Sequence, residues 1–202
     1  NSGERIELLD PSGRVITSVD YRANRFWPTD AVGAGASIEV VDAQREPDDP
    51  SNWKASVPGG SPGARNGSPE RPLIRINELQ PGTDRDWLEL YNAGASAVQL
   101  GGWSITDNSD PRQFVVPSGT FIPADGYLRI DCGGGSATGS VRASFGLNRD
   151  GETIALFDPL TNRADVVWFG PVADGYTAGL VDGRWALCDP TPVGPNEAAA
   201  LG

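Results

Sequence analysis

Gly151-Glu152-Thr153-Ile154-Ala155-Leu156-Phe157-Asp158-Pro159 is the stretch on which the reading of this chain turns. Thr153 to Phe157 is a short run of the alternating kind and reads as a strand half buried in a sandwich or barrel. The same wording stands near the other end as Gly3-Glu4-Arg5-Ile6-Glu7-Leu8-Leu9-Asp10-Pro11, with six of nine positions identical at an offset of 148. The match continues. Thr17, Val19 and Tyr21 fall on Asp165, Val167 and Phe169, and Trp53-Lys54-Ala55-Ser56 parallels Trp185-Ala186-Leu187-Cys188. Ser61-Pro62-Gly63-Ala64-Arg65-Asn66 then parallels Thr191-Pro192-Val193-Gly194-Pro195-Asn196. Such self-similarity marks one supersecondary unit used twice. The first copy carries an extra loop, Gln44 to Asn52. Residues 1–66 therefore read as the C-terminal half of a unit seen whole in 73–196, with 67–72 a short polar linker and 197–202 a tail.

Between the two copies the signals are again strands. Ile74 and Ile76 share a face of Leu73 to Leu79, and Leu88 and Leu90 share a face of Trp87 to Tyr91, with Trp87, Glu89 and Tyr91 opposite. Gly102 to Ile105, Phe114 to Val116, Tyr127 to Cys132, Asp165 to Phe169 and Trp185 to Cys188 are further short runs. Turn formers separate them: Pro81-Gly82, Ala124-Asp125-Gly126, Arg149-Asp150-Gly151 and Asp182-Gly183. No amphipathic helix intervenes, so the spacing predicts an all-β, antiparallel sandwich.

Composition narrows the function. The chain has 202 residues, 16 Lys and Arg against 27 Asp and Glu, a net charge of −11, and no His. Lack of His removes Ser-His-Asp triads, Cys-His dyads and His-ligated zinc. An acidic surface disfavours nucleic-acid binding by bulk charge. No apolar run is long enough for a helical membrane span. The chain starts at Asn1 and holds no Met, which points to a processed chain or a piece of a longer one, with any signal peptide removed upstream.

The order of motifs resembles the lamin tail domain, a small immunoglobulin-like β-sandwich. The residues that carry the resemblance are Ile76-Asn77-Glu78-Leu79, Asp86-Trp87-Leu88-Glu89-Leu90-Tyr91-Asn92, Val98 to Asp107, Phe121 to Leu128, Gly151 to Pro159, and Pro190-Thr191-Pro192 with Asn196. It covers 73–196 as a full unit and 1–66 as a half, giving tandem lamin-tail-like units. The resemblance implies a non-catalytic binding or structural module, without cofactor. Bacterial members resemble this form as modules of secreted, multi-domain proteins, some beside nucleases, phosphoesterases or spore-coat-type kinases. It therefore implies a secreted or cell-surface, bacterial setting.

Several motifs invite a sharper reading and most resolve into plain ones. Asp107-Asn108-Ser109-Asp110 offers oxygens to a hard cation but lacks the EF-hand glycine and twelfth-position Glu, so solvated Asx turns are expected. Asp48-Asp49 reads as an exposed acidic loop. Glu78 and Glu89 are the best carboxylate pair for acid–base work, but Glu89, opposite Leu88 and Leu90, is expected to face water, and hydrogen bonding is the default role. Gly133-Gly134-Gly135-Ser136 lacks the phosphate-loop lysine and reads as a hairpin loop. Asn66-Gly67-Ser68 fits a glycosylation acceptor by pattern alone. Cys132 and Cys188 are compatible with one disulfide, although strand parity turns Cys132 inward and Cys188 outward if Trp185 and Leu187 define the core side. Phe26-Trp27 is the candidate partner-binding surface, because a half unit lacks strands to cover it.

The half unit admits three readings: its front half lies upstream in a longer protein, another chain donates it, or the half folds against the complete unit. The expected function is extracellular or cell-surface scaffolding without turnover, through contacts with a protein partner, another copy of the chain, or a glycan. The alternatives are an accessory domain of a larger secreted hydrolase and a metal-dependent hydrolase using Asp and Glu.

Overall fold

The computed structural model describes residues 3–22, 26–31, 35–66, 73–82, 86–134 and 141–200. The chain divides into two compact units, Asn1–Arg71 and Pro72–Gly202, with the boundary inside the linker read from sequence. Its strands pair antiparallel throughout.

Unit 1 holds β1 (Gly3–Leu9), β2 (Val15–Arg22), β3 (Ala36–Val40) and β4 (Trp53–Pro58). They form two separate two-stranded sheets, β1–β2 and β3–β4. Two-stranded sheets are marginal alone, and an aromatic stack joins these: Trp27 lies edge-on to Tyr21 of β2 and against Trp53 of β4, at centroid distances of 6.1 and 5.8 Å. The extra loop adds a second tie, where the Asp20 backbone N–H donates to the Asp48 carboxylate at 2.7 Å.

Unit 2 is a sandwich. Its strands are β5 (Ile74–Gln80), β6 (Trp87–Asn92), β7 (Val98–Gln99), β8 (Ser104–Thr106), β9 (Phe114–Val115), β10 (Phe121–Ile122), β11 (Gly126–Asp131), β12 (Glu152–Phe157), β13 (Arg163–Phe169), β14 (Thr177–Val181), β15 (Arg184–Asp189) and β16 (Glu197–Ala198). One sheet runs β11-β6-β5-β14-β15-β16 and the other β13-β12-β8-β9, with β7 and β10 paired beside them. Ile76, Leu79, Leu88, Leu90 and Ile130 of the first sheet meet Ile105, Ile154, Leu156, Val167 and Phe169 of the second in one buried cluster. Alternation explains most of this packing, since Leu88 and Leu90, Ile154 and Leu156, and Val167 and Phe169 stand two apart on their strands. Asn92 ends β6 as a turn former: its side chain donates to the Ser96 and Pro123 carbonyls at 2.8 Å and accepts from Gly94 N–H.

One interruption in the alternation matters. The pairing of β5 with β6 slips between Ile76 and Glu78, so Ile76 faces Leu90, Glu78 faces Glu89 and Leu79 faces Leu88. The bulge at Asn77 turns Glu78 to the outer face beside Glu89 and keeps Leu79 in the core. Two expectations change here. Residues 197–198 are not tail: Glu197 and Ala198 pair with Asp189 and Cys188 as an edge strand. Cys132 and Cys188 are free, buried thiols, not a disulfide. They lie on β15 and just past β11, four strand spacings apart, about 19 Å at ordinary spacing and far beyond disulfide reach.

Candidate functional site

The first site follows from the repeated wording. β1 and β12 build the same hairpin, rung for rung. In β1–β2, Ile6 faces Val19, Leu8 faces Thr17, and the register slips between Leu8 and Leu9. In β12–β13, Ile154 faces Val167, Leu156 faces Asp165, and the register slips between Leu156 and Phe157. The turns match as well. Asp10 accepts from Ser12 and Arg14 N–H at 2.9 and 3.0 Å, and Asp158 accepts from Leu160 and Asn162 N–H at 2.8 and 2.9 Å. Such a ring of donors favours the charged carboxylate. The Ser12 hydroxyl, then the Arg14 and Ser12 N–H groups, hold Asp10 below the usual carboxylate range. Desolvation opposes the same effect at Asp158, but the Asn162 and Leu160 bonds still lower it.

The surroundings differ completely. Ile154 and Leu156 are 0 % exposed, whereas Ile6 and Leu8 are 52 % and 57 % exposed. β12 is flanked on both sides, by β13 and by β8, with Leu156 facing Ile105, Ala155 facing Thr106 and Phe157 facing Ser104. Among the described residues β1 is paired on one side only, by β2. Its other face is polar: Arg5 donates to Glu7 at 2.8 Å and to the Ser18 hydroxyl at 3.2 Å. Unit 1 thus presents an amphipathic two-stranded sheet with a bare aliphatic face and an open edge.

That face is not the one expected from Phe26 and Trp27. Trp27 is 5 % exposed, because its ring becomes the filling between Tyr21 and Trp53 while the aliphatic side chains of unit 1 stay exposed, and Phe26 is half-buried. Asp49 is likewise not an exposed loop carboxylate. It is buried, accepts from Ser51 N–H at 2.8 Å and pairs with Arg45, capping the turn Pro50–Asn52. Asp48 is exposed.

A buried polar clasp in unit 2 is the second site. Glu78 and Glu89 are both fully buried, Glu89 included, because the loop after β15 covers this outer face. Glu78 accepts from the Thr177 hydroxyl at 2.6 Å and from the Thr191 N–H and hydroxyl, each at 3.1 Å. Glu89 accepts from Val193 N–H at 2.5 Å and from the Asn77 amide at 3.0 Å. Asn196 donates to the Asn77 and Leu180 carbonyls at 2.8 and 3.1 Å. Burial pushes Glu89 up to about 7 against those bonds. Both carboxylates are committed to holding one loop, which is the hydrogen-bonding role anticipated for them.

Unit 1 repeats part of this clasp, with a different carboxylate. Asn66 donates to the Val40 carbonyl at 2.9 Å and accepts from Ser61, as Asn196 does with Leu180 and Thr191. The carboxylate that Ser61 reaches at 2.6 Å is Glu39, on β3 itself. Val40 faces Trp53 as Leu180 faces Trp185, so Glu39 stands where unit 2 has Gly179. A Cβ on Gly179 would lie 2.8 Å from the Cys188 sulfur and 3.0 Å from Asn196, so unit 2 has no room for a side chain there and takes its carboxylate from β5. Sequence reasoning missed both β14 and the role of Glu39. Gly179 blurs the strand signal, and the signal for Glu39 was its alignment with a glycine.

The remaining motifs settle as local structure. Asn108 and Asp110 accept from Asp110 and Arg112 N–H at 2.8 and 2.9 Å, the expected Asx turns. Among the described residues no group of three or more Cys, Asp or Glu is placed to hold a metal ion. Burial pushes the Cys132 thiol up to about 12 and raises Cys188. Cys132 belongs to the core and Cys188 sits under the clasp beside Gly179, as parity suggested. Gly135 and Ser136 of the glycine run, and Gly67 and Ser68 of the glycosylation pattern, lie outside the described residues.

Two facing antiparallel sheets with a shared apolar interior define unit 2 as an immunoglobulin-like sandwich. Comparison with known families agrees: the chain belongs to the Lamin Tail Domain family, whose model matches residues 68–171, from the linker to just past β13. A module of this family is consistent with a binding or structural domain, and the family is generally non-enzymatic. No curated protein matches the chain.

Proposed function

We propose that the chain is a non-catalytic structural and binding module, working outside the cell or at its surface, that makes protein–protein contacts through unit 1. On this reading residues 1–66 are the back half of a second lamin-tail unit. One observation carries the proposal: a hairpin built twice with the same register, bulge and turn is covered in unit 2 and bare in unit 1. Burying aliphatic surface is favourable, and a face led by the exposed Ile6 and Leu8 suits an apolar protein surface better than a sugar. The extracellular setting rests on the resemblance to modules of secreted proteins.

Photo-crosslinking in the native cell tests the contact. A benzoylphenylalanine at position 6 or 8 should give protein adducts, and one at Leu160, which is 80 % exposed in unit 2, should give none. No adducts from positions 6 and 8, or equal yields from all three, would defeat the proposal.

A further inference from the structure

We propose that residues 190–196 form a proton-latched strap: they stay down on the outer face of unit 2 while Glu89 carries a proton, and they lift when it ionises, uncovering both carboxylates and the Cys188 thiol. The strap lies in unit 2 and stands apart from the contact surface of unit 1.

Side chains hold this segment in place. Thr191 bonds Glu78 through its N–H and its hydroxyl, the Val193 N–H donates to Glu89, and Asn196 donates to the Asn77 and Leu180 carbonyls. Glu78 and Glu89 stand directly opposite each other on β5 and β6, and both are 0 % exposed. Among the described residues neither forms an ion pair. Two buried like charges across a strand pair are costly without a cation, so a proton on Glu89 relieves both the repulsion and the desolvation.

The surrounding elements compensate little. Glu89 is faced by Tyr127 and Arg129 of β11 and stands between Trp87 and Tyr91 on β6. Glu78 is faced by Thr177 of β14 and Cys188 of β15, with Asp189 and Glu197 at the two ends of the strap. Arg129, the one cation in that set, is bonded to Asp131 at 3.0 Å. Burial lifts Glu89 to about 7 against the Val193 and Asn77 bonds, and the Glu78 charge adds to the effect.

Strain sits at the residue that Glu89 holds. Val193 has a φ of 64°, in the left-handed region that a β-branched residue avoids, and its side chain is 62 % exposed, so packing does not fix it there. Weakening the Glu89 contact therefore lets the strap relax outward. Cys188 lies beneath it. A Cβ on Gly179 would meet both the Cys188 sulfur, at 2.8 Å, and the Asn196 side chain, at 3.0 Å, so the thiol and that side chain share one space. Glu89 titrates at about 7 with the strap down and near its ordinary 4.5 once water reaches it. The closed form is thus most favoured below about pH 4.5 and loses that advantage as pH rises through 7.

Maleimide labelling of the full chain, read by mass spectrometry at its two cysteines, tests the latch. Cys132, in the core, reports unfolding of unit 2 as a whole. At pH 8 wild-type Cys188 should react at least about tenfold faster than Cys132, and on the order of a hundredfold faster than Cys188 in Glu89→Gln. At pH 4.5 wild type and Glu89→Gln should label Cys188 alike. Comparison at a common pH cancels the thiol's own reactivity. Equal rates for the two cysteines at pH 8, no difference there between wild type and Glu89→Gln, or the same difference at pH 4.5, overturns the inference. If fast Cys132 labelling shows that Glu89→Gln does not fold, Val193→Asn takes its place. Asparagine tolerates the left-handed region, so Cys188 labelling at pH 8 should slow several-fold, and unchanged or faster labelling overturns the inference.

Discussion

The hairpins β1–β2 and β12–β13 carry the same pairing, the same bulge and the same aspartate-centred turn, yet one is the wall of a core and the other an exposed ribbon. Local sequence therefore specifies this hairpin completely, and burial is a property of what stands against it. Matched substitutions separate those two contributions. Leu156→Ala removes a fully buried side chain and should cost about 2–5 kcal/mol of unit 2 stability, whereas Leu8→Ala should cost less than about 1 kcal/mol. Chemical denaturation followed by hydrogen exchange in each hairpin reads both. Comparable losses would mean that the ribbon of unit 1 is covered after all.

Exchanging the clasp residues tests the comparison next. Gly179→Glu forces a side chain against the Cys188 sulfur and Asn196 and should cost at least about 1–3 kcal/mol by overpacking. Glu39→Gly, in unit 1, removes a carboxylate from Ser61 and Lys54 and loosens the backbone of β3, and should cost about 1–3 kcal/mol. A harmless Gly179→Glu would show that the two clasps are not equivalent.

Acidity gives a third handle, confined to unit 2. Desolvation pushes Glu89 and Glu152 up to about 7 and Asp165, whose carboxylate accepts from Ile76 N–H across the sandwich, up to about 6. The unperturbed values are 4.5 and 3.8, so the folded state holds protons that the unfolded chain releases. The contribution of these three groups to the stability of unit 2 should accordingly be greatest below about pH 4, fall as pH rises toward 7, and level off above it. Glu89→Gln should flatten that slope; melting temperatures between pH 4.5 and 8 decide. A melting temperature that rises across this window would refute the assignment.

The smallest effect lies in the turns. Thr161 and Gly13 occupy matched positions, both left-handed, at φ of 65° and 84°. A β-branched residue is strained there and glycine is not. Thr161→Asn should stabilise unit 2 by about 0.5–1 kcal/mol, and Gly13→Thr should destabilise the unit 1 hairpin, both measurable by denaturation.

Much of the fold was legible because period-two alternation and turn chemistry are local. Ile74 and Ile76, and Leu88 and Leu90, all point where the spacing says. Legibility failed wherever one segment covers or displaces another. Glu89 was expected in water by alternation, and its face is indeed the outer one, but the loop carrying Thr191 and Val193 lies over it. Trp27 looked like surface in a half unit and instead fills the gap between Tyr21 and Trp53. The cysteine count allowed a disulfide, and the strand order β11-β6-β5-β14-β15 keeps the two thiols apart.

The amino-acid sequence by itself determined the strands, their turns, the lamin-tail resemblance and the fact that one hairpin is written twice, because each depends on neighbours within a few residues. Only the tertiary structure decided which copy is buried, that Glu39 occupies the place of Gly179, and where an edge is left open. Those outcomes depend on residues distant in the chain meeting in space, and alternation along one strand carries no information about what packs against it.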